Sequence, residues 1–210
     1  SGCWEEVNTI SHLEAQDRLR GEYDDSSDLP DAKRTLLVTS NPGSFVKAMG
    51  NDPGVEDCQR KGSARLEMFQ GCPLDCVYCF CQQYLSCHHV VVFANVEDAV
   101  DELQLDDTKN SDPVANLRLV TGDIADSFAL GELSVLLHQY MAELINARFE
   151  LRTKFVLPVN YRRLDRDRFR LDWSLTTENA WRANEPGTAS PAQRIDSIVK
   201  AIGGDFQVGI

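Results

Sequence analysis

Three closely spaced cysteines are the residues of this sequence whose type and spacing best suit chemistry. Cys72, Cys76 and Cys79 follow one another at intervals of four and three positions within the segment Gly71–Leu85. Cysteine thiolates at such spacings are typical of a metal site. A structural zinc site normally uses four ligands, often as two separated pairs, whereas this segment offers three evenly placed thiols. Three thiolates can instead hold three irons of a four-iron, four-sulfur cluster and leave the fourth iron open to a small molecule.

Composition and charge set limits on the class of protein. With 210 residues, of which 42% are hydrophobic and 26% charged, the sequence predicts one globular domain or one domain with an arm. No apolar run approaches the roughly 20 residues that span a membrane, and the first residues lack the basic start and apolar stretch of a signal peptide. The odd count of seven cysteines argues against a secreted disulfide framework, so we expect a cytoplasmic protein. The formal net charge of −12 disfavours general binding to nucleic acids.

The hydrophobic pattern predicts an acidic arm followed by alternating strands and helices. Residues 1–62 form the arm, which carries a short strand at Lys33–Thr39, and residues 63–210 form the main domain. The strands expected in the main domain are Ala64–Phe69, His89–Phe93, Leu117–Thr121, Glu150–Phe155, Arg168–Leu175 and Phe206–Ile210. Strands that alternate with helices are typical of a parallel α/β sheet or barrel, in which ligands bind where strands end. The cysteine segment directly follows a strand and is therefore expected at that edge.

Amphipathic helices fill the intervals between these strands. Apolar residues recur at three-four spacing from Leu133 to Ile145, which predicts a helix with a single apolar face. Ser190 followed by Pro191 is typical of a helix start, and Gly203 of a helix end. The helix between them is expected to pack inward through the apolar residues Ile195, Ile198, Val199 and Ile202.

A run of arginines stands out in this acidic sequence. Its members are Arg162, Arg163, Arg166, Arg168 and Arg170. One interpretation is a solvated loop and strand face, and the other is a local site for a phosphate-bearing substrate.

The cysteine segment has the pattern Cys72-x3-Cys76-x2-Cys79, with Tyr78 before the last cysteine, and it resembles the cluster loop of the radical S-adenosylmethionine enzymes. Other segments are similar, in the same order, to the spore photoproduct lyase branch of that family. These segments are KRTLLVTSNPGSFVK, CVYCFCQQYL, VFANVEDAVDEL, TGDIADSFAL, ELRTK, RFRLDWSLT and NEPGTASPAQRIDSIVKA. The resemblance implies that residues 63–210 are a radical S-adenosylmethionine domain, a partial (β/α)6-type barrel of parallel strands preceded by the irregular acidic arm.

The resemblance also implies two cofactors, a 4Fe-4S cluster and S-adenosyl-L-methionine, and the residues that bind them. The cluster ligands are then Cys72, Cys76 and Cys79, and the cofactor-binding residues are Tyr78, Gly122, Asp123, Lys154 and Ser174. In the family the open iron binds the amino and carboxylate groups of the methionine moiety. A partner such as flavodoxin or ferredoxin reduces the cluster, and the sulfonium splits to give a 5′-deoxyadenosyl radical that abstracts hydrogen from the substrate. No catalytic residue is assigned in this chain.

Two residues depart from the spore photoproduct lyase pattern. The lyases carry a hydrogen-donating cysteine where this chain has Val120, and a tyrosine of the same relay where it has Phe80. Neither side chain has a weak X–H bond to donate, so the resemblance supports cofactor cleavage more than spore-type DNA repair. Cys81 and Cys87 are interpreted as buried, inert thiols, with a substitute hydrogen donor as the alternative.

Two other interpretations of the function stay open at this point. One is a non-catalytic iron–sulfur cluster protein for redox sensing or assembly. The other is a radical S-adenosylmethionine enzyme that acts on a peptide or small metabolite, because the acidic charge gives no support for a DNA duplex as substrate. Turnover of the cofactor separates the first interpretation from an enzyme.

Overall fold

The computed structural model describes residues 9–20, 32–48, 62–104 and 117–210 of the chain. In these ranges the strands are β1 (Leu36–Thr39), β2 (Val46–Ala48), β3 (Ser63–Leu66), β4 (Phe69–Gln70), β5 (Val90–Phe93), β6 (Arg118–Thr121), β7 (Arg148–Thr153), β8 (Phe169–Trp173) and β9 (Gln207–Gly209). The helices are α1 (His12–Arg20), α2 (Cys81–Tyr84), α3 (Asp98–Gln104), α4 (Glu132–Leu144), α5 (Glu178–Asn184) and α6 (Pro191–Ile202), with a 3-10 turn at Tyr161–Arg163. Among the described helices, none is both long and apolar enough to cross a membrane.

The larger sheet brings the ends of its parallel strands to one edge. Its strand order is β2-β3-β6-β7-β8-β9; each neighbouring pair from β3 to β9 is parallel, and β2 joins β3 in the antiparallel direction. Over the described residues the sheet does not close on itself. The predicted α/β class, with a partial barrel of parallel strands, is confirmed.

The smaller sheet leads into the cysteine segment. Its order is β1-β5-β4, with β1 parallel and β4 antiparallel to β5. The single strand expected at Ala64–Phe69 is in fact two strands, β3 and β4, which pair in different sheets. The chain changes partners between them, because the Glu67 amide donates to the Phe45 carbonyl at 2.9 Å and the Phe93 amide donates to the Met68 carbonyl at 3.1 Å. The local alternation of residues does not reveal this switch, since both halves bury their apolar side chains.

Aligned apolar residues of the parallel strands form the core. Leu119, Phe149 and Phe169 lie in register across β6, β7 and β8, and all three are almost completely buried. The rings of Phe149 and Phe169 stack with their centroids 5.0 Å apart. Full burial of an apolar side chain of this size stabilises the fold by roughly 1.5–3 kcal/mol. Because neighbouring residues of a strand point to opposite faces, the other face is left for charged side chains.

Helix α6 begins and ends where the sequence predicts, at Pro191 and before Gly203, but it packs on a different face. Ile198 is buried as expected, whereas three other residues expected inside are more than half exposed: Ile195, Val199 and Ile202. The prediction was wrong for these three. The buried side of the helix consists of Arg194, Ser197, Ile198 and Ala201. Small side chains let the helix approach the sheet closely, and the buried arginine belongs to a polar cluster beneath it.

Strands from the predicted arm join both sheets. β1 lies within the predicted strand Lys33–Thr39 and pairs with β5, while β2 pairs with β3. Most of the acidic stretch of the arm, at residues 21–31, lies outside the described residues. The division of the chain into residues 1–62 and 63–210 stays a prediction.

Three members of the arginine run bind backbone carbonyls or carboxylates of the protein. Arg168 donates to the carbonyls of Ala142 at 2.6 Å and Ala147 at 3.1 Å, where a cation offsets the negative end of helix α4. The other two form ion pairs at 3.0 and 2.7 Å, Arg166 with Asp205 and Arg170 with Asp172. These contacts favour a structural role for the three residues over a phosphate site.

Candidate functional site

The residues expected to bind the cofactor follow adjacent strands of the larger sheet. Asp123 comes after β6, Lys154 directly after β7 and Ser174 directly after β8. Because these strands are parallel neighbours, their carboxyl ends meet at one edge. The Gly71 amide donates to the Ile124 carbonyl at 2.9 Å, which ties the cysteine segment to the turn after β6. The structure therefore brings both sets of predicted site residues to the same edge of the sheet.

The cysteine segment begins at a position that requires glycine. Gly71 has a φ of +77°, and a Cβ atom there would lie 2.3 Å from the carbonyl oxygen of His89. Only a residue without a side chain fits this close approach of two backbones. Cys72 consequently follows a tight turn that packs against the backbone of His89, the residue before β5.

Two of the three predicted cluster ligands share a cavity. Cys72 and Cys79 line one open-sided cavity. The buried Cys76 is joined to Cys79 by a turn in which the Cys79 amide donates to the Cys76 carbonyl at 3.0 Å. Across the described ranges, no three His, Cys, Asp or Glu side chains converge closely enough to hold a single metal ion. A cubane cluster carries its irons at separate corners, so its thiolates stand farther apart than the ligands of one ion. The donor set of three thiols on one loop fits such a cluster.

Two of the predicted cluster ligands, Cys72 and Cys76, lie in surroundings that favour the neutral thiol. Burial raises the pKa of Cys72, and the negative charge of Asp126 raises it further. Burial is also the main reason why the pKa of Cys76 is raised. Because iron binds the thiolate, binding of a cluster by these two residues would release protons.

Two more cysteines line the same cavity, Cys81 and Cys87. The Cys81 thiol donates to the Asp123 carbonyl, with Sγ 3.7 Å from the oxygen, and burial raises the pKa of Cys81 to about 12. Cys87 is almost completely buried. A protonated or enclosed thiol reacts poorly with electrophiles. Cys87 is buried as expected, whereas Cys81 is only half-buried, and the inertness of both stays a prediction.

Gly122 permits a close contact between the ends of β6 and β7. Its φ is +95°, and a Cβ atom there would lie 2.5 Å from the Arg152 carbonyl oxygen and 2.7 Å from the Ser127 hydroxyl. Glycine is therefore required by the backbone at this position, whether or not it contacts a cofactor.

A buried histidine supports this turn from behind. His138 Nε2 lies 3.0 Å from the Thr121 hydroxyl, which lies 2.8 Å from the Ser127 hydroxyl. Nδ1 lies 2.7 Å from the Ser134 carbonyl and must donate to it, so Nε2 accepts from Thr121 in the neutral ring. Burial lowers the pKa of His138 to about 4, which keeps the ring neutral at physiological pH.

Asp123 is part of a chain of ion pairs on the charged face of the sheet. Its Oδ1 accepts from Arg152 at 3.1 Å, and its Oδ2 lies 3.8 Å from Arg65 Nε. Arg152 also pairs with the buried Glu150 at 2.9 Å, and Arg118 pairs with the same carboxylate at 2.9 Å. Sequence reasoning missed these residues, although the alternation of apolar and charged residues in RFELRT (148–153) marks a strand with one charged face.

Lys154 is held through its backbone and leaves its ammonium group near Tyr78. The Lys154 amide donates to Asp126 at 2.6 Å, and this buried carboxylate also accepts from the Thr153 hydroxyl at 2.6 Å. The Lys154 Nζ atom lies 5.7 Å from the centre of the Tyr78 ring. In the part of the chain that the structure describes, no carboxylate forms a salt bridge with this ammonium group.

Tyr78 and Ser174 are both linked to one buried ion pair. The Tyr78 hydroxyl donates to Glu185, and Glu185 accepts from Arg194. Arg194 also donates to the Ser174 carbonyl at 2.6 Å. Glu185 and Arg194 escaped sequence reasoning, because nothing in the local pattern indicates that they face each other.

The two departures from the lyase pattern lie at this site. Val120 is fully buried in β6, in register with Arg65 and Glu150, and it lines a small cleft together with Gly122. Phe80 is exposed on the cysteine segment, with its ring centroid 5.6 Å from that of Tyr84.

Comparisons with known proteins give structural but not sequence matches. No protein-family model and no curated protein matches the chain. A solved spore photoproduct lyase complexed with dinucleoside spore photoproduct has a TM-score of 0.69 and 21% identity, over 95% of this chain and 56% of the lyase. A doubly substituted spore photoproduct lyase with bound AdoMet and dinucleoside spore photoproduct has a TM-score of 0.68 and 18% identity, over 98% of this chain and 56% of the lyase.

The chain therefore spans about half the length of the lyases it matches. At such low identity the likeness is one of fold, and the predicted resemblance in architecture is confirmed. The protein has the fold of the spore photoproduct lyases.

Proposed function

We propose that this protein is a radical S-adenosylmethionine enzyme of the spore photoproduct lyase type. The observation that supports the proposal most strongly is the meeting of two residue sets at one sheet edge: the three-cysteine loop, and the polar residues that follow β6, β7 and β8. Neither set alone identifies a radical enzyme. Their combination, in a fold shared with a lyase structure that holds AdoMet, favours this function over a structural metal site.

Each residue of the site has a role in binding. Cys72, Cys76 and Cys79 hold a 4Fe-4S cluster and leave one iron without a protein ligand. When bound and reduced, the cluster supplies the electron that splits the sulfonium of S-adenosyl-L-methionine and so provides the 5′-deoxyadenosyl radical. Asp123 accepts from the methionine ammonium group, and Lys154 pairs with the methionine carboxylate.

Tyr78, Gly122 and Ser174 complete the cofactor site. Gly122 lets the turn after β6 approach closely, Tyr78 presents a ring beside the Lys154 ammonium group, and Ser174 offers a hydroxyl at the end of β8. We assign the supply of electrons to a small reductant such as flavodoxin or ferredoxin, in a cytoplasmic setting.

The substrate is proposed to differ from the DNA photoproduct. Val120 and Phe80 supply no thiol or phenol hydrogen at the two positions of the lyase relay, and the net charge of −12 repels a DNA duplex. A peptide or small metabolite carries no comparable polyanion and suits the site better.

Anaerobic reconstitution with iron and sulfide tests the proposal. We expect the protein to load about four irons, as a cubane cluster requires. Addition of S-adenosyl-L-methionine should change the electron paramagnetic resonance signal of the reduced cluster, and reduction should release methionine and 5′-deoxyadenosine. A loaded cluster that never cleaves the cofactor would instead identify a non-catalytic iron–sulfur cluster protein.

A further inference from the structure

One short segment contacts three parts of the candidate site: the cysteine segment, the end of β7 and the end of β8. Residues 184–194, here called the clasp, run from the end of α5 into α6. The Val77 amide donates to the Asn184 carbonyl at 2.9 Å, which joins the clasp to the cysteine segment. The Ala189 amide donates to the Lys154 carbonyl at 3.2 Å, which joins the clasp to the end of β7.

A buried ion pair lies at the centre of the clasp. Arg194 is fully buried and donates to the carboxylate of the buried Glu185. Arg194 also donates to the Ser174 carbonyl at 2.6 Å, the Ala189 carbonyl at 2.8 Å and the Thr188 hydroxyl at 2.8 Å. These acceptors satisfy most of the donors of a guanidinium group, which burial requires.

The carboxylate of Glu185 extends this network to the cysteine segment. Its second oxygen accepts from the Tyr78 hydroxyl. The ring of the same tyrosine lies near Lys154 Nζ. Burial and this hydrogen bond raise the pKa of Tyr78. Although its own burial opposes ionisation, hydrogen bonds from Tyr78 and Arg194 hold the pKa of Glu185 below its usual range. The Glu185–Arg194 ion pair therefore connects Tyr78 with the strand end that carries Ser174.

Fold stability alone is a weak reason for such a pair. Removing two charges from water is costly, and apolar residues of similar volume often stabilise a fold equally well. The position of the pair is more informative, because it joins two parts of the chain that are distant in sequence and that both carry proposed cofactor contacts, Tyr78 in the cysteine segment and Ser174 at the end of β8.

We propose that the Glu185–Arg194 pair is a positioning element of the cofactor site. It holds the Tyr78 ring, the Lys154 ammonium group and Ser174 in one arrangement before the cofactor binds. Neither residue of the pair is assigned a contact with the cofactor. The inference rests on the proposed function, since it concerns the geometry of that site.

A double-mutant cycle between Tyr78 and Glu185 tests the connection. Tyr78→Phe removes one hydroxyl from an exposed side chain, and Glu185→Gln removes the charge that accepts from it. With loaded clusters we expect each change to weaken the affinity for S-adenosyl-L-methionine about tenfold, as loss of a charge-assisted hydrogen bond does. The double variant should bind no more weakly than either single variant, because both break the same connection.

The cycle separates the outcomes. Independent, additive losses would mean that the Tyr78 hydroxyl acts on the cofactor directly, and unchanged affinities would mean that the pair positions nothing; both results overturn the inference. Arg182→Gln is the matched control, because Arg182 forms an exposed ion pair with Glu178 on α5 at 2.9 Å. This control should bind the cofactor like the parent.

A second measurement uses the protein without cluster or cofactor. Arg194→Lys keeps the charge but loses the planar fork, so we expect faster hydrogen exchange at the Val77 amide, which the clasp protects. The Arg182→Gln control should exchange like the parent, and unchanged exchange in Arg194→Lys would overturn the inference. If Arg194→Lys does not fold, hydrogen exchange at the Val77 amide is measured in Tyr78→Phe instead, with the same expected result. If the unmodified protein with a loaded cluster does not bind S-adenosyl-L-methionine, the proposed function itself is refuted. If it binds and the variants bind with the same affinity, only the positioning role is refuted.

Discussion

The guanidinium group of Arg152 lies 3.1 Å from the carboxylate of Asp123, so the residue proposed to accept the methionine ammonium is already ion-paired. Only Oδ1 accepts from Arg152, while Oδ2 is 3.8 Å from Arg65 Nε, beyond hydrogen-bond distance. The arginine therefore orients the carboxylate and leaves one oxygen for a second cation.

Asp123→Asn should weaken cofactor binding while it keeps the side-chain shape. Loss of a charge-assisted contact costs on the order of 1.5–3 kcal/mol, or roughly ten- to a hundredfold in affinity. Titration of the loaded protein with S-adenosyl-L-methionine measures the change. Asp172→Asn is a suitable control, since Asp172 pairs with Arg170 at 2.7 Å and is assigned no cofactor contact. Equal affinity of Asp123→Asn and the parent would remove Asp123 from the site.

Lys154→Met should reduce the affinity by a similar factor, because it removes the cation proposed to meet the methionine carboxylate. Methionine keeps much of the aliphatic length, so the backbone contacts to Asp126 and Ala189 should persist. The control is Lys200→Met, at an exposed lysine of α6. Equilibrium binding of the cofactor at several salt concentrations checks the assignment. If Lys154→Met lowered the affinity by the same factor at low and high salt, the loss would not come from the charge, and the assignment would be contradicted.

Replacement of Cys72, Cys76 and Cys79 by alanine should abolish iron loading. Cys81→Ala and Cys87→Ala are informative controls, because both residues line the same cavity as Cys72 and Cys79. We expect both controls to load iron like the parent in an iron and sulfide assay. Loss of the cluster in either control would mean that the ligand set is wrong.

The buried His138 should make stability depend on pH. Its pKa is lowered by burial from an ordinary value of 6.5 to about 4, so the unfolded chain takes up a proton first as the pH falls. The contribution to the free energy of unfolding is complete above pH 6.5, is lost between pH 6.5 and pH 4, and amounts to on the order of 3 kcal/mol. His138→Gln should flatten this part of the profile in urea unfolding at several pH values. Parallel profiles for both proteins would contradict the assignment.

Repair of a DNA photoproduct is expected to stay incomplete in the unmodified protein. A product radical must take a hydrogen atom from the site, and the C–H bonds of Val120 are far stronger than the S–H bond of a thiol. Given a dinucleotide spore photoproduct, the protein should cleave the cofactor with little clean repair. Val120→Cys combined with Phe80→Tyr should raise clean repair, as product analysis under anaerobic, reducing conditions would show.

Efficient repair by the unmodified protein would show that another residue donates the hydrogen atom. Cys81 is one candidate, since its thiol contacts the carbonyl of Asp123. Cys81→Ala should then remove the activity.

Local sequence signals predict only part of the candidate site. The spacing of Cys72, Cys76 and Cys79 is itself local, whereas Lys154 and Ser174 are assigned through the resemblance to the lyase branch. Parallel strands must share an edge for their carboxyl ends, so residues that follow them meet there without further information.

The charged contacts could not be predicted in the same way. Tyr78 and Glu185 are 107 residues apart, and no local pattern specifies such a partner. The buried face of α6 was missed for a related reason, because Arg194 is drawn inside by acceptors on other elements, and Ile195 is left exposed beside it.

The division between β3 and β4 affects when the site is acquired during folding. The cysteine segment starts from the smaller sheet, but Gly71 and Val77 bond to Ile124 and Asn184, which come much later in the chain. Contacts between positions that are distant in the chain form slowly, because closing a long loop costs chain entropy before the contacts can stabilise it. A partly synthesised chain thus contains the three cysteines of the segment before the residues that hold the segment in place, Ile124 and Asn184, have been made. Stable uptake of the proposed cluster is therefore expected only after both sheets have formed, so it would mark chains that have completed their folding.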